Sequence, residues 1–239
     1  MPLAQTSRVL EHGGYGIVAL LPMKAHSARV SGKNFRDFCG RPLFRWILDT
    51  LLGIELIERV VINTDARDIL AGHGLVDTDR VLIRDRKPEL CGDSVSMNRV
   101  LADDVANIDA SIYLMTHTTN PLLKPETVRG ALAAFREAQA AGRADSLFTV
   151  DKVQTRFYRA DASPVNHDPG NLIPTQELEP WFAENSNLYI FTRDSFARTQ
   201  ARIGERPVMY QSAKFESIDI DTPGDWEFAV ATAEHLFQP

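Results

Sequence analysis

The sequence has no excess of positive charge. Its 32 acidic residues outnumber the 26 lysines and arginines, which gives a formal net charge of −6 at pH 7. Proteins that bind nucleic acid normally present a basic face, so this balance argues against a nucleic-acid partner. It still allows a local cationic pocket.

Cysteines are also scarce, and long apolar runs are absent. The two cysteines, Cys39 and Cys91, match no metal-binding spacing, so we expect reduced thiols in a cytoplasmic protein. No apolar stretch approaches the about 20 residues that cross a bilayer. Residues 1–15 lack the apolar segment of a signal peptide. We therefore expect a cytoplasmic location and no membrane contact.

The 239 residues, 44% of them hydrophobic, are enough to build one α/β domain with a full core. Continuous apolar runs indicate strands buried on both faces, as in a parallel sheet. Such runs occupy residues 16–21, 59–63, 81–84 and 111–115. Helical periodicity follows at residues 42–52, 65–73, 94–105 and 125–141, with Ser94 and Pro125 as helix starts. This alternation predicts a doubly wound, mostly parallel sheet in a single domain over residues 1–239.

The pattern changes after Val150. Residues 161–180 are rich in proline, which indicates an irregular excursion, and we assign residues 151–186 to a smaller inserted lobe. Strands are predicted at residues 187–191 and 215–220, and a closing helix at residues 223–237. Two aromatic residues of the lobe, Trp181 and Phe182, fit either an exposed anchor for a second subunit or a core role.

The loop at residues 21–34 is the most informative segment. It leaves the carboxyl end of a buried strand and carries Lys24, Arg29 and Lys33 among small residues. Backbone amides in such a loop can approach phosphate oxygens while the cations offset their charge. The loop is not a Walker motif, because Gly32-Lys33 is followed by Asn34. The pattern predicts a nucleoside triphosphate site.

Two late carboxylates form a second candidate site. Asp219 and Asp221 alternate with isoleucines, so in an extended segment both point to the same side. Mg²⁺ commonly takes one or two carboxylates and completes its shell with water and phosphate oxygens. Alternatively, Asp221 caps the helix that begins near Pro223 and Asp219 is simply solvated.

Several segments together resemble the CMP-sugar synthetases, the cytidylyltransferases that activate sialic acid and related 3-deoxy-keto acids. The loop resembles their opening signature I-P-A-R-x-x-S-K-x-I-P-x-K-N at Pro22, Ser27, Lys33 and Asn34. Residues 86–93 are similar to R-P-x-E-L-A-x-D, residues 119–122 lie where the family has Q-P-T-S-P-L, and residues 184–190 resemble E-N-G-x-x-Y-I. Asp219 and Asp221 match the metal-binding aspartates. The matches keep the family order over residues 17–228.

This resemblance implies a Rossmann-like nucleotidyltransferase fold and a Mg²⁺-dependent reaction. A hydroxyl of a sugar acid attacks the α-phosphorus of CTP, and pyrophosphate leaves. The resemblance implies that Lys24, Lys33 and Asn34 are catalytic and also contact the nucleotide. Further implied nucleotide contacts come from Ser27, Arg29 and Arg86, with Arg86 near the base. Asp219 and Asp221 are implied to hold the metal. The resemblance also implies a homodimer in which the lobe at residues 151–186 forms the contact.

Several positions depart from the family pattern, and the nucleotide half of the pattern is kept better than the acceptor half. Lys24 replaces an arginine, Ala28 replaces a lysine, and His117 replaces the glutamine that contacts the sugar. We predict acceptor contacts from His117, Thr119 and Asn120, although His117 fits a strand-end histidine bonded to backbone equally well. The interpretation is a cytidylyltransferase for a sialic-acid-like sugar acid. The alternatives are an enzyme of the same fold with another acceptor, such as a phosphonate, and a non-catalytic nucleotide-binding protein.

Overall fold

A computed structural model describes residues 15–27 and 29–236 of the chain. All four predicted apolar runs form parallel strands of one sheet, as expected for runs buried on both faces. These strands are β1 (Tyr15–Leu20), β4 (Arg59–Thr64), β5 (Val81–Asp85) and β6 (Ala110–Met115).

Over the described residues, the sheet has seven strands in the order β5-β4-β1-β6-β8-β7-β9. β8 is antiparallel to its neighbours β6 and β7, whereas the other pairings are parallel. Two further short strands form a separate hairpin. The strands not yet given are β2 (Asp37–Phe38), β3 (Arg41–Pro42), β7 (Ser146–Val153), β8 (Trp181–Thr192) and β9 (Pro207–Gln211).

Helices cover both faces of the sheet. They are α1 (Leu43–Leu52), α2 (Arg67–Gly72), α3 (Met97–Asn107), α4 (Pro125–Ala140), α5 (Arg193–Thr199) and α6 (Pro223–Leu236). α4 starts at Pro125 as predicted, whereas α3 starts three residues after Ser94. Among the described residues, no helix has the length and apolar character needed to cross a membrane.

Alternate residues of β1 separate two layers of core. Ile17 and Ala19 pack in one cluster with α1 and α4, and Val18 and Leu20 pack in another with α3 and α5. This two-sided burial confirms the predicted α/β fold with a doubly wound, mostly parallel sheet. A third cluster joins α6 to the loop after β1 through Val30, Phe38, Ile220 and Trp226.

The prediction of a strand at residues 215–220 is wrong. Residues 214–217 form a turn, and the following residues are extended without a strand partner. Their backbone bonds instead to the loop after β6: Ile220 N donates to Thr119 O at 3.0 Å. β7, β9 and α5 were not predicted from the sequence.

The predicted lobe continues the sheet rather than interrupting it. β7 and β8 extend as a hairpin in which Lys152 pairs with Phe182 and Val153 with Trp181. The chain between the two strands is irregular, with one 3-10 turn at Thr175–Glu177. Trp181 is 40% exposed and Phe182 44% exposed, so neither is a core residue. The dimer contact of residues 151–186 stays a prediction.

Candidate active site

A cleft of about 570 Å³ lies at the carboxyl ends of β1 and β6. The strand order reverses between these two strands, and in open α/β sheets ligands bind at such a point. Its size is that of a small-molecule site. The cleft is lined by Pro22, Lys24, His26, Ser27, Arg29, Lys33, Asn34, Asp93, Met97, His117, Thr118, Thr119, Ser186, Asp219 and Asp221. The early loop and the late aspartates therefore share one cleft.

The loop after β1 is tied to the end of β4 and to the side chain of Asp65, which follows β4. Met23 N donates to Asn63 O at 3.0 Å, and Ala25 N donates to the Asp65 carboxylate at 2.6 Å. These bonds direct the chain across the sheet edge toward the cleft. Ala28, where the resembled signature has lysine, lies outside the described residues.

Lys33 enters the cleft from a tight turn. Gly32 has φ +60°, a conformation that glycine adopts at little cost, and the chain then makes a 3-10 turn at Lys33–Phe35. The Lys33 ammonium donates to Ile220 O and lies 3.5 Å from Asp221 Oδ1. Burial lowers the pKa of Lys33, while the Asp221 and Asp219 carboxylates oppose that decrease. Lys33 and Asp221 thus lie within ion-pair distance.

Two other predicted cations flank Lys33. Arg29 donates to Asp221 Oδ1 at 2.8 Å and stays largely exposed. Lys24 reaches across the cleft to Gly92 O and Asp93 Oδ1, both at 3.0 Å. Both side chains hold partners that a phosphate oxygen could replace, because exposed ion pairs are weak.

Asn34 ties the two halves of the cleft together. Its amide nitrogen donates to Lys24 O at 2.8 Å, and its Oδ1 accepts from the Thr118 hydroxyl at 2.6 Å. Asn34 therefore fixes the loop after β1 against the loop after β6. Asn34 can orient groups in the cleft but cannot act as a general acid or base, because a side-chain amide does not gain or lose a proton near physiological pH.

Asp219 and Asp221 both face the cleft, although the segment is not a strand. Ile218 and Ile220 are buried in the third cluster, so the alternation of side chains survives without sheet pairing. The alternative that Asp221 caps α6 is wrong. Thr222 Oγ1 accepts from Asp225 N at 3.2 Å and Asp225 Oδ2 accepts from Thr222 N at 2.7 Å, a reciprocal cap that leaves the Asp221 side chain free of this role.

The acid pair fits a hard divalent cation. Asp219 lines the cleft, and its Oδ1 is buried without a hydrogen-bond partner among the described residues. Burial raises the pKa of Asp219, Thr119 lowers it by a hydrogen bond, and Asp221 raises it further. The described residues include no group of three or more candidate ligands. A magnesium ion here would take two carboxylates and complete its shell with phosphate and water oxygens.

His117 is set into the wall of the cleft. Burial lowers its pKa to about 3, and the positive charges of Arg202 and Lys33 add to the decrease. The imidazole is therefore neutral at physiological pH and can bond a hydroxyl, but it cannot pair with a carboxylate as a cation. Thr119 lies beside it and also lines the cleft.

A match to a protein-family model identifies the family of this chain. A family model described as cytidylyltransferase matches residues 18–237. The chain belongs to the cytidylyltransferase family. It is accordingly a nucleotidyltransferase, as predicted.

Curated relatives of this cytidylyltransferase act on several sugar acids. The CMP-N,N'-diacetyllegionaminic acid synthase of Legionella pneumophila is 26% identical over 226 residues, covering 88% of this chain and 93% of the relative. The pseudaminic acid cytidylyltransferase of Campylobacter jejuni is 20% identical, covering 89% and 94%. The N-acylneuraminate cytidylyltransferase of Streptococcus agalactiae serotype V is 24% identical over 92% of this chain, which spans only 53% of that relative's length.

Solved structures show the same fold. CMP:2-keto-3-deoxy-manno-octonic acid synthetase, solved in complex with CTP, has a TM-score of 0.65 at 16% identity and covers 93% of this chain and 100% of its own. The 4-diphosphocytidyl-2C-methyl-D-erythritol synthase of Anaerococcus prevotii has a TM-score of 0.64 at 14% identity, covering 92% and 97%.

Two predicted contacts of the cytidylyltransferase do not reach the cleft. Arg86 is buried, and its guanidinium donates to Asn63 Oδ1 at 2.9 Å and Asn63 O at 2.7 Å. Asn120 is fully buried and donates to Ile218 O at 3.4 Å. Neither residue lines the cleft, and the base contact of Arg86 and the acceptor contact of Asn120 stay predictions. Buried polar groups need hydrogen-bond partners, and each of these two side chains donates to a nearby backbone carbonyl.

A buried polar network next to Arg86 was missed. Asp104 accepts from Asn63 Nδ2 at 2.8 Å and from Arg84, and it is fully buried. Its neighbour Asp103 pairs with Lys87 at 2.6 Å and with Arg84 at 2.9 Å. The network joins β4 and β5 to α3 beneath one end of the cleft. The signal in the sequence was the Asp103-Asp104 pair on an otherwise apolar helix face.

Asp104 should make stability depend on pH in a defined direction. Burial raises its pKa to about 6, although bonds from Asn63 and Arg84 oppose this. A raised pKa in the folded state adds stability below the ordinary value of 3.8, and that stability is lost as pH rises through about 6. In the wild type, we expect the unfolding free energy to fall by about 2–3 kcal/mol between pH 4 and 7 because of Asp104. In the Asp104→Asn variant this fall should be absent, as measured by urea titration at each pH.

Asp103 supplies the matched control. Burial would raise its pKa, but Lys87 and Arg84 outweigh burial and lower it. Asp103 therefore stabilises the fold at pH values above the ordinary pKa of an aspartate, and this stabilisation is lost as pH falls through its lower folded pKa. The pH dependence is opposite to that of Asp104. Asp103→Asn should lose stability at neutral pH. Identical pH profiles for the Asp104→Asn variant and the wild type would contradict the assignment.

Proposed function

We propose that this cytidylyltransferase transfers CMP from CTP to a sialic-acid-like 3-deoxy-keto sugar acid and releases pyrophosphate. One observation carries the proposal: Lys33, 188 positions before Asp221 in the chain, lies 3.5 Å from its carboxylate inside a cleft at the reversal of strand order. A single nucleotide with its metal ion could therefore contact both the cations and the carboxylates of this cleft. The names of the curated relatives support CTP as donor and a sugar acid as acceptor.

The nucleotide end of the cleft is the end near Lys24, Ser27 and Lys33. In the proposed reaction the acceptor hydroxyl oxygen forms a bond to the α-phosphorus, the bond to the bridging oxygen of the pyrophosphate breaks, and the hydroxyl proton is released. Lys33 and Lys24 neutralise the growing charge on the phosphates, and Arg29 can turn from Asp221 to phosphate. Asn34 holds the two loops at a constant separation during the step.

Asp219 and Asp221 would hold the Mg²⁺. When bound, the ion would neutralise phosphate charge and orient the α-phosphoryl group. The carboxylates themselves keep Arg29 and Lys33 oriented toward the cleft, so the chain presents a charge-balanced site before the nucleotide arrives. Nucleotidyl transfer depends mostly on positioning and charge neutralisation, which this arrangement supplies without a covalent intermediate.

The acceptor end is the end near His117, Thr119 and Ser186. A neutral imidazole and two hydroxyl side chains suit a polyhydroxylated acceptor. A phosphonate acceptor on the same fold is the second candidate, and a protein that binds CTP without turnover is the third. The retained acid pair favours catalysis over the third.

The deciding experiment measures pyrophosphate release with CTP, Mg²⁺ and a panel of acceptors. The panel contains N,N'-diacetyllegionaminic acid, pseudaminic acid, an N-acylneuraminate, 3-deoxy-manno-octulosonate and a phosphonate, with ATP, GTP and UTP as alternative donors. We expect release with CTP and at least one sugar acid. Release with the phosphonate alone supports the second candidate, and CTP binding without release supports the third.

We further propose a homodimer in the cytoplasm. Exposed aromatic residues of the hairpin extension support the dimer: Trp181 stacks on Phe157 with ring centroids 4.9 Å apart, and Phe182, the next residue of β8, is 44% exposed. Rigid aromatic residues of this kind are common anchors of protein interfaces. The free thiols of Cys39 and Cys91 are consistent with a reducing compartment.

A further inference from the structure

Ser186 has a strained backbone on the wall of the cleft. Its φ is +55°, in the left-handed region that residues other than glycine rarely adopt. The register of β7 and β8 shifts beside it, between Phe148 and Val150, as in a β-bulge. Bulges near active sites commonly re-aim a side chain, and strain of this kind persists where the surroundings impose it.

Among the described residues, the Ser186 hydroxyl has one hydrogen-bond partner, the Tyr189 hydroxyl, at a long distance. Ser186 Oγ lies 3.3 Å from the Tyr189 hydroxyl, longer than the about 2.5–3.0 Å of a good O–H···O bond. Tyr189 donates its own proton to Glu184. No described residue offers the Ser186 hydroxyl a closer acceptor, and the side chain faces the cleft beside His117 and Met97.

A positive charge stands behind this part of the wall. The Arg202 guanidinium stacks on the Tyr189 ring at 3.8 Å. Among the described residues its nearest carboxylate is Glu184, at 3.5 Å, which Tyr189 already occupies. Arg202 N also donates to Asn98 Oδ1, one residue from Met97 of the cleft wall. Arg202 is therefore ion-paired with Glu184, and its positive charge still reaches the cleft, because it contributes to the low pKa of His117.

We propose that Ser186 is a specificity-determining contact to the acceptor, whose anionic group accepts a hydrogen bond from the Ser186 hydroxyl in the positive field of Arg202. The inference rests on the proposed function, because it names the part of the cleft that reads the acceptor. A carboxylate and a phosphonate share this chemistry. His117, neutral and adjacent, bonds a hydroxyl of the same molecule.

Two substitutions separate strain from function. Ser186→Gly removes the hydroxyl and the strain, so we expect the melting temperature to rise by roughly 1–3 °C. The KM for the acceptor should rise about tenfold or more while the KM for CTP stays unchanged, since a bond to a charged group is lost. Ser186→Ala removes the hydroxyl and keeps the strain, and it should raise the acceptor KM equally without stabilising the protein.

The control variant is Ala162→Gly. Ala162 has φ +63° in an exposed turn far along the lobe and does not line the cleft, so this change should relieve similar strain with no effect on either KM. An unchanged acceptor KM in both Ser186 variants would overturn the proposal. Should Ser186→Gly fail to fold, Ser186→Ala alone decides the question.

Direct binding distinguishes this proposal from the proposed function. Calorimetry without Mg²⁺ measures binding of each sugar acid and of the phosphonate to the CTP-loaded protein, wild type and Ser186→Ala. Weaker binding to the variant, together with no pyrophosphate release by the wild type in the assay with CTP and Mg²⁺, would support the Ser186 contact and reject the transferase. Equal affinities, or no binding to either protein, would reject the Ser186 contact. The acid that loses most affinity identifies the anionic group.

Discussion

Asp221→Asn is expected to reduce turnover roughly a thousandfold or more at saturating CTP and acceptor. The change keeps the shape of the side chain and removes its charge. Asp221 Oδ1 lies 2.8 Å from Arg29 and 3.5 Å from Lys33, and the fold holds its backbone through Asp225, which accepts from Asp221 N at 3.1 Å. The backbone anchor is untouched, so the melting temperature should change little while the proposed metal site loses half of its charge.

Binding of CTP without magnesium sharpens this test. In the wild type, Asp221 competes with phosphate for Arg29 and Lys33. The variant frees both cations, so metal-free CTP should bind it as tightly as the wild type or more tightly. A variant damaged in its general structure would instead bind more weakly.

Asp49→Asn is the matched control for Asp221→Asn. Asp49 pairs with Arg41 at 2.7 Å and does not line the cleft, so the same chemical change there should leave turnover unchanged. Near-normal turnover of the Asp221→Asn variant at saturating Mg²⁺ would remove Asp221 from the metal site.

Lys33→Met is expected to weaken CTP binding by roughly ten- to a hundredfold. Methionine keeps much of the buried stem and removes the ammonium. Lys33 is 7% exposed, and its ammonium donates to Ile220 O, which links the loop after β1 to the aspartate segment. The loss should be larger for CTP than for CMP, because the predicted contact is to the triphosphate. Fluorescence titration with both nucleotides measures the difference.

Lys33→Met also carries a structural cost that must be separated from binding. The Ile220 carbonyl loses its side-chain donor, which is expected to lower the unfolding free energy by about 1–2 kcal/mol. Relief of the buried charge offsets part of this. Lys214→Met, at an exposed lysine outside the cleft, is the control and should change neither property. Equal losses for CTP and CMP would contradict a triphosphate contact.

The half of the sheet that positions the cleft was predictable because its strands are covered on both faces. Burial on both sides demands continuous apolar runs, and β1, β4, β5 and β6 have them. β9 lies at the sheet edge with alternating partial exposure, so its pattern is weak. β7 runs on into the hairpin extension, where Asp151 and Lys152 interrupt the apolar pattern. Isolated windows of sequence do not distinguish such strands from loops.

The site was predictable in its members more than in its contacts. Lys24, Ser27, Arg29, Lys33, Asn34, His117, Thr119, Asp219 and Asp221 all line the cleft. Arg86 and Asn120 do not, because buried backbone and amide groups near them take their hydrogen bonds. Ser186 and Met97 line the cleft without a predicted role; the positive φ of Ser186 is a property of the folded backbone alone.

The sequence by itself determined the doubly wound α/β order, the phosphate-type loop and the alternation of Asp219 and Asp221 with isoleucines, since these depend on local composition and periodicity. Only the tertiary structure decided that Lys33 and Arg29 meet Asp221, that Thr222 rather than Asp221 caps α6, and that Arg86 bonds to Asn63. Each of those outcomes depends on which groups compete for one hydrogen bond or one charge. That competition exists only when residues nearly two hundred positions apart in the chain have been brought within a few ångströms by the fold.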